Sequence, residues 1–433
     1  MSDIHPSVVV DGYNLAMPKG TGVATYARTL TQCLRNMGCE TGILYGLEMP
    51  RHASGNLMEV EFFNSLDGVK PRRRSPVLSP RWCVETWEML QVQRGQPVPI
   101  TGAVEPRGVA DRLPSFDKIW NVPGLYRKAA RHFRLTGKLM SVRLPAPPQI
   151  MHWTYPLPIK LEGAKNIYTI HDLVPLRLPY TTLDDKAYHH RLLKKLVAQA
   201  DGLCTVSESS KADIISFFPE AAGRTHNTYQ SFHQDGEASE EAAELAARKV
   251  KALFGLKKEG YYLFFGSLEP KKNLGRLLES FLVADVTVPL VIVGAMAWKS
   301  DAELRFIERG VEAGKVIKLD YLSRDLLTAL TRTAKGLLFP SICEGFGLPV
   351  LEALAVDTPV LTSGEGALKE VAGDAAVFVD PYDTASIAAG IEKLDRDETI
   401  RADIRRMAPM QVRKYDMRSY EERLGALYSA CVR

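Results

Sequence analysis

The stretch Pro340 to Leu354, PSICEGFGLPVLEAL, sets two carboxylates and two glycines around a turn. A buried strand reads up to Pro340, the turn Gly345-Phe346-Gly347 follows, and Pro349 occupies a position favoured at the start of a helix. A helix that opens directly after a strand leaves unsatisfied backbone N–H groups in its first turn, beside the positive end of its dipole. That is an anion site, and Gly345 and Gly347 would let a phosphate come close to the backbone. Glu352 is expected in the first turn of that helix, its side chain leaning back toward the same end. A carboxylate accepts two hydrogen bonds from a vicinal diol, so ribose or a hexose suits Glu344 and Glu352 alike. Taken alone, the pattern also admits a plainer account, in which Glu352 complements the helix dipole and Glu344 is a solvated loop charge.

A second segment, Gly266-Ser267-Leu268-Glu269-Pro270-Lys271-Lys272-Asn273, also follows an apolar strand and opens a helix. It aims two adjacent lysines at the strand-end side of the same domain, and lysine binds phosphate as a point charge. A departing diphosphate gains charge as its sugar bond breaks, so an ammonium held there favours the transition state over the ground state. Lys271 by itself reads equally well as a solvated surface charge. Lys272 carries the functional reading because the two anion sites belong to neighbouring turns of one sheet.

The elements that must position these segments follow from hydrophobic periodicity. Apolar runs at 261–265, 290–293, 316–319, 336–339, 359–362 and 376–379 alternate with helical stretches, the pattern of a doubly wound α/β domain. The N-terminal half opens on Val8-Val9-Val10, a glycine turn at Gly20-Thr21-Gly22, and a helix carrying Val23, Tyr26, Ala27, Leu30 and Leu34 at helical spacing. Further strands are expected at 41–45, 150–155, 166–171 and 202–206, with helices near 184–200 and after Ser207-Glu208-Ser209. Residues 47 to 148 resolve into no clear elements. The expected division is an N-terminal domain over 1–250, reached through a Glu- and Ala-rich helix at 235–251, a C-terminal domain over 251–400, and a helical segment over 401–433 packing back on the first. Two such domains put the site in the cleft between them, at the C-terminal ends of the strands.

Composition agrees with a globular chain. Its 433 residues hold 45% hydrophobic and 24% charged residues, with 55 Lys+Arg against 51 Asp+Glu, which excludes wholesale disorder and a collagenous chain. No apolar run approaches the roughly 20 residues of a membrane span, and residues 1 to 15 lack a secretory pattern, so a cytoplasmic chain is expected. Cys33, Cys39, Cys83, Cys204, Cys343 and Cys431 are scattered without a CxxC pair, which fits buried free thiols rather than disulfides or zinc. Asp184-Asp185 falls on a predicted helix, no Asp-x-Asp stands at a strand end, and no metal is expected. From Lys118 to Arg143 seven basic residues and no acidic one alternate with Leu125, Tyr126, Ala129, Phe133, Leu135 and Leu139. On one helix these would form a basic stripe beside an apolar one, suited to an anionic membrane surface or, equally, to packing on the domain with a solvated basic face. The net charge of +4 and the absence of a recognised motif argue against nucleic acid as a partner.

Taken together, E-G-F-G-L-P-V-L-E from Glu344 to Glu352 and G-S-L-E-P-K-K-N from Gly266 to Asn273 resemble the retaining glycosyltransferases of family 4, the group 1 transferases with the GT-B fold. In the N-terminal half G-T-G-V-A-T-Y from Gly20 looks like that family's glycine loop, and I-H-D from Ile170 to Asp172 looks like its strand-end histidine. The resemblance implies two Rossmann-like doubly wound parallel-sheet domains facing across a cleft. It also implies transfer of a sugar from a nucleotide diphosphate donor to an acceptor hydroxyl with retention. Carried over, Lys272 and the backbone of Gly345, Phe346, Gly347 and Leu348 hold the diphosphate, Glu352 binds the ribose and Glu344 contacts donor-sugar hydroxyls. His171 faces the donor sugar, and Gly20, Thr21 and Gly22 approach the phosphates from the opposite domain. Many members carry Arg where Ser267 stands here, so the diphosphate leans on Lys272 or draws on Lys271. The stretch Thr225 to Phe232 is a poor version of the family's Asn-Gly turn. Similarity to members with a Glu-Pro-x-Lys-Asn turn favours GDP-mannose as donor, with no cofactor. The acceptor implied is a glycan or a lipid-linked glycan of surface polysaccharide or lipopolysaccharide, met at the inner face of the cytoplasmic membrane. A nucleotide-sugar epimerase, a glucan synthase on the same fold, or a catalytically inactive membrane-associated assembly protein are the alternatives.

Overall fold

The computed structural model describes residues 5–17, 22–49, 55–68, 86–106, 109, 113–232, 239–294, 301–320 and 322–432. Gly20, Thr21 and Cys83 lie outside them. The first sheet takes β1 (Val8–Asp11), β2 (Thr41–Tyr45), β4 (Gln96–Val98), β5 (Lys118–Asn121), β7 (Ile150–Trp153), β9 (Lys165–Thr169), β10 (Gly202–Thr205) and β11 (Thr225–Asn227) in the order β11-β10-β9-β7-β1-β2-β5-β4. Only β4 runs antiparallel. A small parallel sheet of β3 (Gln93–Arg94), β6 (Met140–Arg143) and β8 (Ile159–Leu161) stands beside it. The second sheet is wholly parallel, with β12 (Tyr262–Phe265), β13 (Leu290–Val293), β14 (Val316–Leu319), β15 (Gly336–Phe339), β16 (Val360–Ser363) and β17 (Val377–Val379) ordered β14-β13-β12-β15-β16-β17. Counted from β12 that order is 3-2-1-4-5-6, the dinucleotide-fold arrangement. β12, β13 and β15 are buried along their full length, which is why they read as continuous apolar runs rather than as alternations.

The topology explains why the two C-terminal motifs meet. In the second sheet the strand order reverses between β12 and β15, and a crevice opens at such a switch point. Gly266 to Asn273 follows β12 and Pro340 to Gly347 follows β15. In the first sheet the reversal falls between β1 and β7, so the segments after β1, β7 and β9 stand together at the matching edge.

Several expectations need correction. Residues 118–143 do not form one helix: β5, the helix Leu125–Thr136 and β6 divide them, because Gly124 and Gly137 take left-handed conformations at the two helix ends. Leu125, Ala129, His132 and Phe133 are buried under that helix, Lys118 pairs with Glu40, Arg127 with Glu48, and Arg143 with Glu162. Asp185 is the N-cap of the helix Lys186–Gln199, accepting from the Tyr188 N–H, and Asp184 precedes it. The helix Glu240–Phe254 packs on Arg324–Thr333 beside the second sheet, so a division at 250/251 would cut through one helix of that layer. Five cysteines are free thiols among the described residues, with Cys343 only half-buried. Among the described residues no helix is long and apolar enough to cross a membrane.

The chain ends in two helices. Glu398–Arg413 packs against Leu348–Leu354, and Met417–Val432 returns to the helix Gly22–Asn36 and β10. Tyr420, Leu424, Leu427 and Tyr428 are buried there. The Tyr428 hydroxyl is 2.8 Å from His152 Nδ1, whose Nε2 is 2.8 Å from Thr169 Oγ1. Burial lowers the His152 pKa to about 3, so the ring is neutral at physiological pH. Tyr428→Phe strips a buried partner from that ring and is expected to cost about 1–3 kcal/mol, read as a lower urea midpoint.

Candidate active site

The turn after β12 is locked before it carries anything. Asn273 sits buried in the left-handed region, at φ 62°, a conformation Asn tolerates. Its side-chain amide donates to the Pro340 carbonyl at 3.0 Å and the Pro381 carbonyl at 2.6 Å, tying this turn to the loop after β15. Ile342 N–H donates to the Lys271 carbonyl at 2.8 Å, a second tie. Between these loops Lys272 Nζ lies 2.6 Å from Glu344 Oε1, with the Ser341 hydroxyl donating to the same oxygen. The ammonium also stands 5.0 Å above the Phe339 ring.

Glu344 is nearly sealed from solvent, with 8% of its side chain exposed. Burial alone would raise its pKa, but Lys272 and Lys271, with the hydrogen bonds from Lys272 and Ser341, hold it below the ordinary carboxylate value. Lys271 is not the solvated charge that its sequence position allowed. Its Nζ lies 3.7 Å from Asp172 Oδ2 on the opposite domain. Burial opposes its charge, yet the Asp172, Glu344 and Glu269 carboxylates push its pKa above the usual lysine value. Two cations and two anions therefore alternate across the cleft as Asp172, Lys271, Glu344 and Lys272.

His171 follows β9 at the rim of the first sheet. Its Nε2 is 2.9 Å from the Thr154 carbonyl, and its ring meets the Tyr26 ring edge-on at 4.9 Å. Burial lowers its pKa, outweighing the Thr154 hydrogen bond and Asp172. The Ser210 hydroxyl sits 2.8 Å from the His171 carbonyl and 3.2 Å from the Gly345 carbonyl, bridging the domains. Nearby, the Glu370 carboxylate accepts N–H groups of Glu208 and Ser209 at 2.9 and 3.3 Å, capping a first-domain helix from the second domain.

A Cβ on Gly345 would lie 2.4 Å from the His171 carbonyl oxygen, so the missing side chain lets the two domains touch here. Gly347 has φ 111° and faces Leu368. The helix begins at Leu348, one residue before Pro349, and runs only to Leu354. Glu352 is thus in its second turn, not its first, and is half-buried. The Phe346 ring is buried against Tyr415, with centroids 5.3 Å apart, which leaves only its backbone for a ligand. Ser267 is exposed, and Gly22 begins the helix Gly22–Asn36 with open space around it. Ser210, Ser341 and Thr154 leave no functional signal in the sequence, and Asn273 stands there only as the end of the Gly266 to Asn273 motif. Its usable signal is that of an Asn between a turn and a helix.

Two Rossmann-like sheets facing across one cleft, with both switch points opening into it, define a GT-B architecture. Residues 248–410 match the family of glycosyl transferases group 1. The chain is 32% identical over 250 residues to O-antigen chain mannosyltransferase B of Escherichia coli, covering 57% of this chain and 64% of that protein. It is 27% identical over 271 residues to the serotype-specific mannosyltransferase WbdA of Escherichia coli, covering 61% of this chain and 33% of the relative. The chain thus spans less than two thirds of the length of these relatives. Among solved structures it is similar in fold to Anabaena HepE in complex with UDP and glucose, with TM-score 0.63, 14% identity and 98% and 100% of the two chains covered. It is likewise similar to WaaG, a glycosyltransferase involved in lipopolysaccharide biosynthesis, with TM-score 0.59, 16% identity and 98% and 99% covered.

Proposed function

We propose that this chain is a retaining glycosyltransferase that moves a hexosyl group, mannosyl by preference, from a nucleotide diphosphate sugar to an acceptor hydroxyl. The observation that carries this is the meeting of Lys272, Glu344 and the Gly345 to Leu348 loop with His171 across one cleft. The donor diphosphate would take Lys272 and the loop backbone, and the ammonium would meet the negative charge that grows on the leaving group. Glu344, released from Lys272, would accept donor-sugar hydroxyls, and Glu352 would accept the ribose diol. Lys271 supplies the positive charge that Ser267, in place of an arginine, does not.

Similarity to relatives named O-antigen mannosyltransferases supports GDP-mannose as donor and a glycan or lipid-linked glycan of surface polysaccharide as acceptor. Work at the inner face of the cytoplasmic membrane belongs to the same proposal. Within 118–143 the helix Leu125–Thr136 is the segment such a contact would use, since its flanks are strands held in sheets.

A panel of nucleotide sugars tests the donor. A ligand that binds only the folded state at a hundred times its dissociation constant adds about 2.7 kcal/mol, so GDP-mannose is expected to raise the melting temperature most. Product analysis then separates transfer from epimerisation. Equal shifts across the panel, or none, would overturn the donor assignment.

A further inference from the structure

We propose that Asp11 is a positioning residue for the transfer reaction, acting through Thr154 to hold His171 with its Nδ1 as the nitrogen that receives a substrate hydroxyl. The proposal rests on the transferase function above.

β1, β7 and β9 are neighbours in the first sheet, and Asp11, Thr154 and His171 stand at or just beyond their ends. The fully buried Asp11 carboxylate accepts the Thr154 N–H and, at 3.1 Å, the Tyr13 N–H. The carbonyl of the same Thr154 is the partner of His171 Nε2 at 2.9 Å. A carbonyl cannot donate, so Nε2 must carry the proton. In a neutral ring that leaves the lone pair on Nδ1, which has no hydrogen-bond partner among the described residues.

Both main-chain groups of Thr154 are therefore spoken for. One is fixed by Asp11 and the other fixes the imidazole, so movement of Asp11 passes to His171 through a single residue. The Tyr26 ring closes a further side of the imidazole, while Asp172, Lys271 and His152 supply the charged and titratable groups around it. Burial raises the Asp11 carboxyl to about 6, against the pull of its Thr154 and Tyr13 hydrogen bonds. Keeping so unfavourably placed a carboxylate at a strand end beside the cleft fits a functional role better than a packing one.

The test is nitrogen-15 spectroscopy of the full chain labelled at histidine, with His171 assigned by its loss in His171→Gln. The parent is expected to show protonated Nε2 and unprotonated Nδ1, and Asp11→Ala a mixture of tautomers. Turnover in Asp11→Ala is expected to fall about 10- to 100-fold, the scale of an ångström-sized misplacement, with nucleotide affinity unchanged. Asp11→Asn keeps one oxygen acceptor and is expected to recover most of that loss. Protonated Nδ1 in the parent would overturn the proposal, as would an unmoved His171 spectrum in Asp11→Ala or a loss confined to nucleotide affinity. Should Asp11→Ala fail to fold, the parent spectrum and the turnover of Asp11→Asn decide, a poorer turnover than that of a misplaced ring counting against it. The spectrum needs no catalysis, so it fails separately from the transferase function.

Discussion

Gly345→Ala is expected to lower turnover about 100-fold while leaving the fold and the second sheet intact. The added methyl would meet the His171 carbonyl oxygen at 2.4 Å and its carbon at 3.0 Å, and both are backbone atoms that cannot swing aside. Relief requires the loop after β15 to withdraw from the end of β9. That withdrawal also breaks the shared contact of Ser210 with the His171 and Gly345 carbonyls. Lys272 and Glu344 belong to the withdrawing side and His171 to the other, so the groups that must act together move apart by about an ångström, a displacement that costs about 100-fold in rate. Steady-state kinetics with nucleotide binding in parallel checks this. The expected pattern is a fall in kcat with nucleotide affinity nearly preserved, because Lys272, the loop backbone and Glu352, the groups proposed above to hold most of the nucleotide, all belong to the second domain and withdraw together. Gly223→Ala, at a site with open space around it, serves as the control and is expected to be silent.

The reasons some of this was legible in sequence, and some not, are physical. Strands buried on both faces are written as apolar runs, so β12, β13, β15 and β16 could be read directly, and the two loops after β12 and β15 stood out by residue type. The Gly345 contact with His171 joins residues 174 positions apart, and only the closed cleft creates it. The Lys271 pairing with Asp172 is hidden for the same reason. Between residues 47 and 148 short strands, one antiparallel, pair with partners far along the chain, so local periodicity carries little of the pattern. There the charge pattern of a basic stretch suits one helix throughout, whereas the glycines at 124 and 137 bound the actual helix by left-handed turns. The C-terminal helix shows the converse case. Apolar residues at helical spacing announce it, whereas the hydrogen bond between Tyr428 and His152 has no trace in either segment.

Lys272→Ala is expected to lower kcat/KM by about 100- to 1,000-fold, near 3–4 kcal/mol, the usual cost of removing one group that stabilises transition-state charge. The same variant has a pH signature that distinguishes loss of the Glu344 partner from general damage. In the parent the Glu344 pKa is lowered, so its pairing stabilises the fold fully above the unfolded value of 4.5 and the contribution is lost as pH falls through the folded value. Removing Lys272 takes away the largest opponent of burial and leaves Lys271 and Ser341, and the Glu344 pKa moves upward. If burial then prevails, the protonated form is favoured in the folded state and stability declines as pH rises through the new value. Thermal midpoints are thus expected to climb with pH in the parent only up to about 4.5 and to level off above it, whereas in Lys272→Ala they flatten or fall as pH rises beyond 4.5. Adding Glu344→Gln removes the carboxyl that produces the difference, so the double variant is expected to lose that slope change while staying inactive. A double variant that kept it would assign the pH dependence to another group and detach the lysine from its carboxylate partner.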